Sequence, residues 1–178
     1  YTVTETNANI QLLQPKDGNP HAVFIVKESE TITYHYERNP ADPRIAHTFH
    51  LEIDELGNIL KNASVVYPRV QIPDDLPPRV QAEQGKRHII YTENTYTNDI
   101  DTEQDFRHRE LCEARTYELT GVKPDQGPYF RLQELQQEAP DAEELPYQEK
   151  ASDLAPQKRI IEHMRTLFAN ANALSQPL

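Results

Sequence analysis

The residues best suited to chemistry lie in one acidic run, Asp99-Ile100-Asp101-Thr102-Glu103-Gln104-Asp105, followed by Glu110. Calcium loops use oxygen ligands at alternate positions and a bidentate Glu in twelfth place, which Glu110 occupies when counted from Asp99. Gln104, however, stands where such a loop needs glycine for its sharp turn, and the flanks read as strands, not helices. A solvated acidic turn is the expectation. Asp99, Asp101, Glu103 and Glu110 stay as metal candidates that lack the glycine to complete the loop.

The other chemistry-bearing side chains are scattered. His47 and His50 are three apart, which puts them on opposite faces of a strand, where they cannot chelate together. His108, Glu110 and Cys112 share one parity, but zinc needs a fourth ligand and an outer shell to hold it. Cys112 lies mid-strand in LCEAR, away from any helix N-terminus that would stabilise a thiolate. No G-x-S-x-G, G-x-x-x-x-G-K-[ST], G-x-G-x-x-G or H-E-x-x-H pattern occurs. Asn62-Ala63-Ser64 fits the glycosylation pattern but falls inside an expected strand. No catalytic residue and no cofactor site emerges.

Around these residues the elements are well marked. Glu30 to Tyr67 reads as an antiparallel meander, in which Ile32, Tyr34 and Tyr36 alternate with Thr31, Thr33 and His35. Phe49, Leu51 and Ile53 then alternate with Thr48, His50 and Glu52, and a third run spans Ile59 to Tyr67. Asn39-Pro40-Ala41-Asp42-Pro43 stops the first strand, because its prolines remove two backbone donors. Asp54-Glu55-Leu56-Gly57-Asn58 makes the second turn, with Gly57 where a tight hairpin needs positive φ.

Upstream, Ile10 to Leu13 is a short apolar run, and His21 to Lys27 reads as a strand covered on both faces. Downstream, residues 68–87 form a proline-rich connection whose end, Arg79 to Arg87, is helix-compatible. A second strand group covers 88–121, with His88 to Thr97 and Leu111 to Thr120 as its strands and Gly121 as its stop. Residues 129–174 are expected to be helical. Tyr129 to Glu138 gives one short helix stopped by Pro140, and a second starts near Ser152 and Pro156 and ends near Asn170. Ile160, Ile161, Met164, Leu167 and Phe168 would form its apolar stripe, packed on the sheet. The fold is thus expected to be one mainly β domain with a C-terminal helix. An α+β arrangement with the 130–138 and 154–170 helices paired is the alternative.

Composition narrows the functions. The chain has 178 residues, 37% of them apolar, with a mean hydropathy of −0.79 and fourteen prolines against five glycines. That apolar share is low for a free-standing globule, so the core is expected to be completed against something else. A net charge of −11 argues against nucleic acid and anionic membranes. No apolar run approaches the ~20 residues that a spanning helix needs. A single cysteine excludes an internal disulfide. The opening Tyr1-Thr2-Val3-Thr4 shows neither Met nor a signal peptide and is expected to lie inside a longer polypeptide.

Four blocks, in order over about residues 20–170, carry a resemblance: TITYHYERNPADPRIAHTFHLEIDELGNILKNASVVYPR, YTENTYTND, RELCEARTYELTG and PQKRIIEHMRTLF. They resemble the middle/C-terminal region of the B component of insecticidal toxin complexes, the TcdB/TcaC-like proteins. The tyrosine-rich strand ahead of Asp54-Glu55-Leu56-Gly57-Asn58 also looks like a degenerate Rhs/YD repeat. The resemblance implies a secreted bacterial toxin whose B and C components form a β shell around a cytotoxic effector. It implies delivery through the A-component channel, with the C and A components as partners. The enzymatic activities and the self-cleaving aspartate of such toxins belong to the C component, and no residue here matches their motifs. A second reading is a carbohydrate- or protein-binding module in which Tyr34, Tyr36, Tyr91 and Tyr96 present an aromatic platform.

Overall fold

The computed structural model describes residues 1–169 and 174–175. Its strands and helices, in chain order, are β1 (Thr2–Gln14), β2 (Val23–His35), β3 (Arg44–Ile53), β4 (Ile59–Val66), α1 (Pro78–Gln84), β5 (His88–Tyr96), β6 (Ile100–Asp101), β7 (Phe106–Arg107), β8 (Leu111–Thr120), α2 (Leu132–Asp141), β9 (Glu143–Leu145), β10 (Gln157–Arg165), β11 (Phe168–Ala169) and β12 (Leu174–Ser175). Eight strands join one sheet in the order β1-β2-β3-β4-β5-β8-β10-β9, antiparallel throughout except at the β9–β10 pair. The expected meander is β2, β3 and β4, and β1, which the sequence marked only as a short apolar run at Ile10 to Leu13, extends it by one strand.

Alternation builds the core. In β3 the buried positions are Ile45, His47, Phe49 and Leu51, in β4 Ala63 and Val65, in β5 Ile89 and Tyr91, and in β8 Tyr117 and Leu119. The ladder registers these residues across the sheet, with Phe49 opposite Ala63, Ala63 opposite Tyr91, and Tyr91 opposite Tyr117. Helix α2 adds Leu135 and Ala139 to the same cluster. Glu134 fixes the start of that helix, its carboxylate accepting the Arg131 N–H at 2.8 Å and the Asp125 N–H at 3.1 Å. Gln136 donates to the Leu51 carbonyl at 2.8 Å and so ties helix to strand. Pro140 does not stop α2, which runs one residue further, to Asp141.

Two expectations are overturned. Residues 157–165, assigned above to an apolar-striped helix, form strand β10, and the short strand β11 covers Phe168–Ala169. The expected helix end near Asn170 lies outside the described residues. Strand β8 has an outer edge whose backbone groups need partners, and the segment supplies them from Gln157↔Thr120 to Arg165↔Glu113. A bulge at Ile161 shifts the side-chain parity, so the apolar spacing imitates a helical stripe. A helix this short is marginal alone in water, whereas the ladder is reinforced by the Arg159–Glu118 and His163–Glu113 pairs at 2.7 and 2.6 Å.

The second correction concerns His21 to Lys27, expected to be a strand covered on both faces, of which the part from Val23 is strand. It is the beginning of one thirteen-residue strand, β2, and Phe24 and Val26 are 57% and 64% exposed. Among the described residues its ladder partner there is β1, which is exposed along its whole length.

Gly121 ends β8 with φ +74°, and a Cβ there would sit 1.9 Å from the Ala155 carbonyl oxygen. Gly127 has the same φ with open space around it. Gly121→Ala should therefore cost about 3 kcal/mol or more, combining left-handed strain with overpacking, while Gly127→Ala costs about 1 kcal/mol. Urea midpoints of the two variants check this, and equal costs would show that the close approach to Ala155 is unimportant.

Candidate functional site

The acidic turn is organised by a cation. Asp99 accepts from the Arg109 N–H at 2.7 Å and from its guanidinium Nε at 3.1 Å. The same guanidinium reaches Asp54 at 3.0 Å and Glu55 at 2.8 Å. These bonds hold the Asp99 carboxyl below the usual carboxylate range. Asp101 lies in the two-residue strand β6 and Glu103 in the turn that follows, both exposed. Glu110 stands apart from them, its backbone paired with Thr97. The four candidates do not converge. Among the described residues, no group of three or more His, Cys, Asp or Glu side chains is placed to hold a metal ion.

The remaining candidates are equally separated. Cys112 is buried and its Sγ–H donates to the Thr95 carbonyl at 3.2 Å, while His108 packs edge-on against Phe106. His47 is buried on the core face and His50 bonds the Glu28 carbonyl on the other. The four tyrosines do not form a platform. Tyr91 is fully buried, Tyr34 lies at the β2 end that pairs with Ile45, and Tyr96 lies near Ile59 at the far end of the sheet. Tyr34 and Tyr36 do stack, their rings 6.5 Å apart, but strand register separates that pair from Tyr91 and Tyr96 along the sheet.

Three buried polar clusters do come together. Asp42 is 2% exposed and accepts from Arg69 at 2.6 and 2.8 Å and from the Val70 N–H at 2.9 Å, pinning the corner before β3 to the segment after β4. The Phe130 N–H donates to the Tyr67 hydroxyl at 3.1 Å, and that hydroxyl is hydrogen-bonded to His47 Nδ1 at 3.1 Å. The Glu30 carboxylate lies 3.5 Å from His47 Nε2, so a neutral ring that keeps its proton on Nε2 faces an acceptor and takes the Tyr67 proton at Nδ1. Burial pushes the Tyr67 phenol up to about 12 and the His47 imidazole down, against a smaller opposing pull from Glu30.

In the third cluster Lys158, 7% exposed, donates to Glu93 at 3.1 Å and to the Pro140 carbonyl at 3.0 Å. Its ammonium lies over the Tyr117 and Tyr91 rings at 5.3 and 5.6 Å, and the Tyr91 hydroxyl donates to the same Glu93 carboxylate at 3.0 Å. Lys158, Glu93 and the Tyr91 hydroxyl each have a partner inside the fold, the buried Tyr117 hydroxyl has none among the described residues, and no nucleophile stands beside a base. Their work is positioning. Nothing local in the sequence marks them, because their partners lie 27, 63 and 65 residues apart along the chain.

One apolar surface has no cover among the described residues. Register pairs Ile10 with Val26 and Leu12 with Phe24, so these four side chains share one face of the β1–β2 hairpin. They are between 50% and 66% exposed. On the other face Lys27 donates to the Asp54 carbonyl at 2.7 Å and Ile25 lies beside Gly57, so that side is anchored.

Two measurements test the buried clusters. The folded His47 has a pKa below its ordinary 6.5, so the stability conferred by the neutral ring is complete above that value and declines as pH falls beneath it. The urea midpoint of the parent should drop more than that of His47→Gln between about pH 7.5 and 5, and Glu30→Gln should steepen the drop. Parallel slopes would remove the linkage. Lys158→Met should cost about 3 kcal/mol, since it strands a carboxylate and a carbonyl, and adding Glu93→Gln should recover part of the loss. A fully additive double variant would mean that the pair is not coupled.

Comparison with known proteins gives a family and a fold. The model of the insecticide toxin TcdB middle/C-terminal region matches residues 1–120. A search of curated protein sequences returns no match. All of the chain superposes on part of a chain in the crystal structure of TcdB2-TccC3, with TM-score 0.67, 23% identity and 9% of that chain covered. The Photorhabdus luminescens Tc holotoxin pore gives TM-score 0.68 at 23% identity over 8% of its chain. TcdB2-TccC3 without its hypervariable C-terminal region gives 0.68 at 22% over 8%. At such identity these likenesses show a shared fold, and the chain spans less than a tenth of the length of the chains it matches. With two thirds of its residues, from β1 through β8, inside the family match, the chain belongs to the insecticide toxin TcdB middle/C-terminal region family.

Proposed function

We propose that this chain is a non-catalytic structural segment of an insecticidal toxin complex B component. It contributes one sheet to the β shell that encloses the cytotoxic effector and delivers it to the A-component channel. The observation that carries the reading is the β1 side of the sheet. A thirteen-residue strand with one charged side chain, Glu5, and neither lysine nor proline stands at the edge, beside an uncovered apolar face. Free-standing β proteins guard such edges with charges, prolines or covering loops, and an unguarded one is a template for continuation. The match to a toxin region supports the reading. So do structural relatives that are named as a TcdB2-TccC3 complex and as a Tc holotoxin pore. The partners are then the C component and the A-component pore, and the protein acts outside the bacterium as part of the secreted complex.

The test places Leu12→Asp and Phe24→Asp together in the full-length B component. Both side chains are at least half exposed in the chain, so its own urea midpoint should move by no more than about 0.5 kcal/mol per site. Co-purification with the C component should fall, and the enclosed effector should become open to protease. A complex that assembles and protects its effector as well as the parent would sink the proposal.

A further inference from the structure

Six described arginines are partly buried: Arg69, Arg87, Arg107, Arg109, Arg115 and Arg159. Five of them donate hydrogen bonds to a carboxylate, a hydroxyl or a backbone carbonyl. Arg87 is the exception. Its Nε, like that of Arg107, is sealed from water with no acceptor, and among the described residues its terminal nitrogens make no hydrogen bond either. The guanidinium lies 5.1 Å from the Phe130 ring and 5.9 Å from the Tyr67 ring. Stacking on two rings holds its plane and offsets part of the desolvation, but it satisfies no N–H group. Burial also weakens its hold on the proton, and only the Tyr67 phenol pulls the other way.

Arg87 lines an open cavity of about 740 Å³ between the start of β5, the end of β8 and the 148–153 loop. Two of the acids around it are already neutralised. Glu83 pairs with Lys86 at 2.8 Å and Glu118 with Arg159 at 2.7 Å. Lys123 and Lys150 line the same cavity, exposed and without an ion pair. Glu149 and Asp153 also lie on the loop, and both are exposed to water. The half-buried charge left unanswered is therefore the guanidinium. In a chain of net charge −11 it is not left so for lack of carboxylates.

We infer that this cavity is an oxyanion site, which takes a carboxylate or phosphate group end-on across the terminal nitrogens of Arg87, with Lys123 and Lys150 adding positive charge at the rim. A planar guanidinium fork presents two parallel donors to such a group, and a fork already held by two rings loses little freedom on binding. The inference does not depend on the shell assignment.

The test titrates the chain with sodium glutarate and, separately, with inorganic phosphate, at ionic strength held constant with sodium chloride. The side-chain N–H resonances of Arg87 and the thermal midpoint are followed together. Both should change saturably with at least one of the two anions. Arg87→Gln should weaken the apparent affinity roughly tenfold or more, and Arg87→Lys should retain part of it. Saturation by glutarate alone assigns a carboxylate ligand, and saturation by phosphate alone a phosphoryl one. If Arg87→Gln does not fold, the resonances of the parent and a weakened response in Lys123→Gln decide the matter. A linear, non-saturating response to both anions in the parent overturns the site, as does unchanged affinity in folded Arg87→Gln.

Discussion

The rest of the structure depends on one contact: the closing of α2 over the middle of the sheet, where Phe49, Tyr91 and Tyr117 meet Leu135 and Ala139. Those residues are fully buried, and apolar surface removed from water is the main favourable contribution in a chain this polar. The helix covers only the central strands. Outward from β3 toward β1 the buried positions give way to partly and then wholly exposed ones. The sheet therefore has a secured centre and an unsecured flank, and the flank carries the surface available for assembly.

Polar side chains determine how that centre is closed. Lys158 reaches from β10 under α2 to the Pro140 carbonyl, so a sheet edge and a helix end are joined through one ammonium. Tyr67 similarly joins the end of β4 to the residue just before α2 begins, through the Phe130 N–H, while His47 and Glu30 extend the chain of bonds into β3 and β2. A buried polar group costs free energy unless it is bonded, so these chains tolerate only a narrow range of placements for α2. Apolar burial supplies attraction without direction, and the polar chains supply the direction.

The scarcity of chemistry has the same physical origin. The acidic stretch that looks most like a cation loop has a guanidinium in its midst, where Arg109 meets Asp99, Asp54 and Glu55. Each carboxylate oxygen given to the guanidinium is one fewer for an ion. The turn is an electrostatic brace between the β3–β4 turn and the approach to β8.

Local pattern alone determined much of this protein. Period-two alternation placed the end of β2, β3 and β8, the Asn39–Pro43 and Asp54–Asn58 turns separated β2, β3 and β4, and Gly121 ended β8. Those features are local, because pleating and the φ limits of proline and glycine act within a few residues. The sequence blocks also pointed to the toxin family that the comparison confirms over residues 1–120. Tertiary structure decided what local pattern left balanced. Residues 157–165 carry a spacing compatible with a helix, and the free edge of β8 made them a strand. Val23 to Val26 has the composition of a buried strand, yet Val23, Phe24 and Val26 are exposed in the folded sheet. Which histidine, lysine or arginine is buried, and against what, depended on partners up to 65 residues away, as for Lys158 and Glu93. Burial and pairing at that range are properties of the assembled sheet, because desolvation depends on what lies near in space, whatever the separation along the chain.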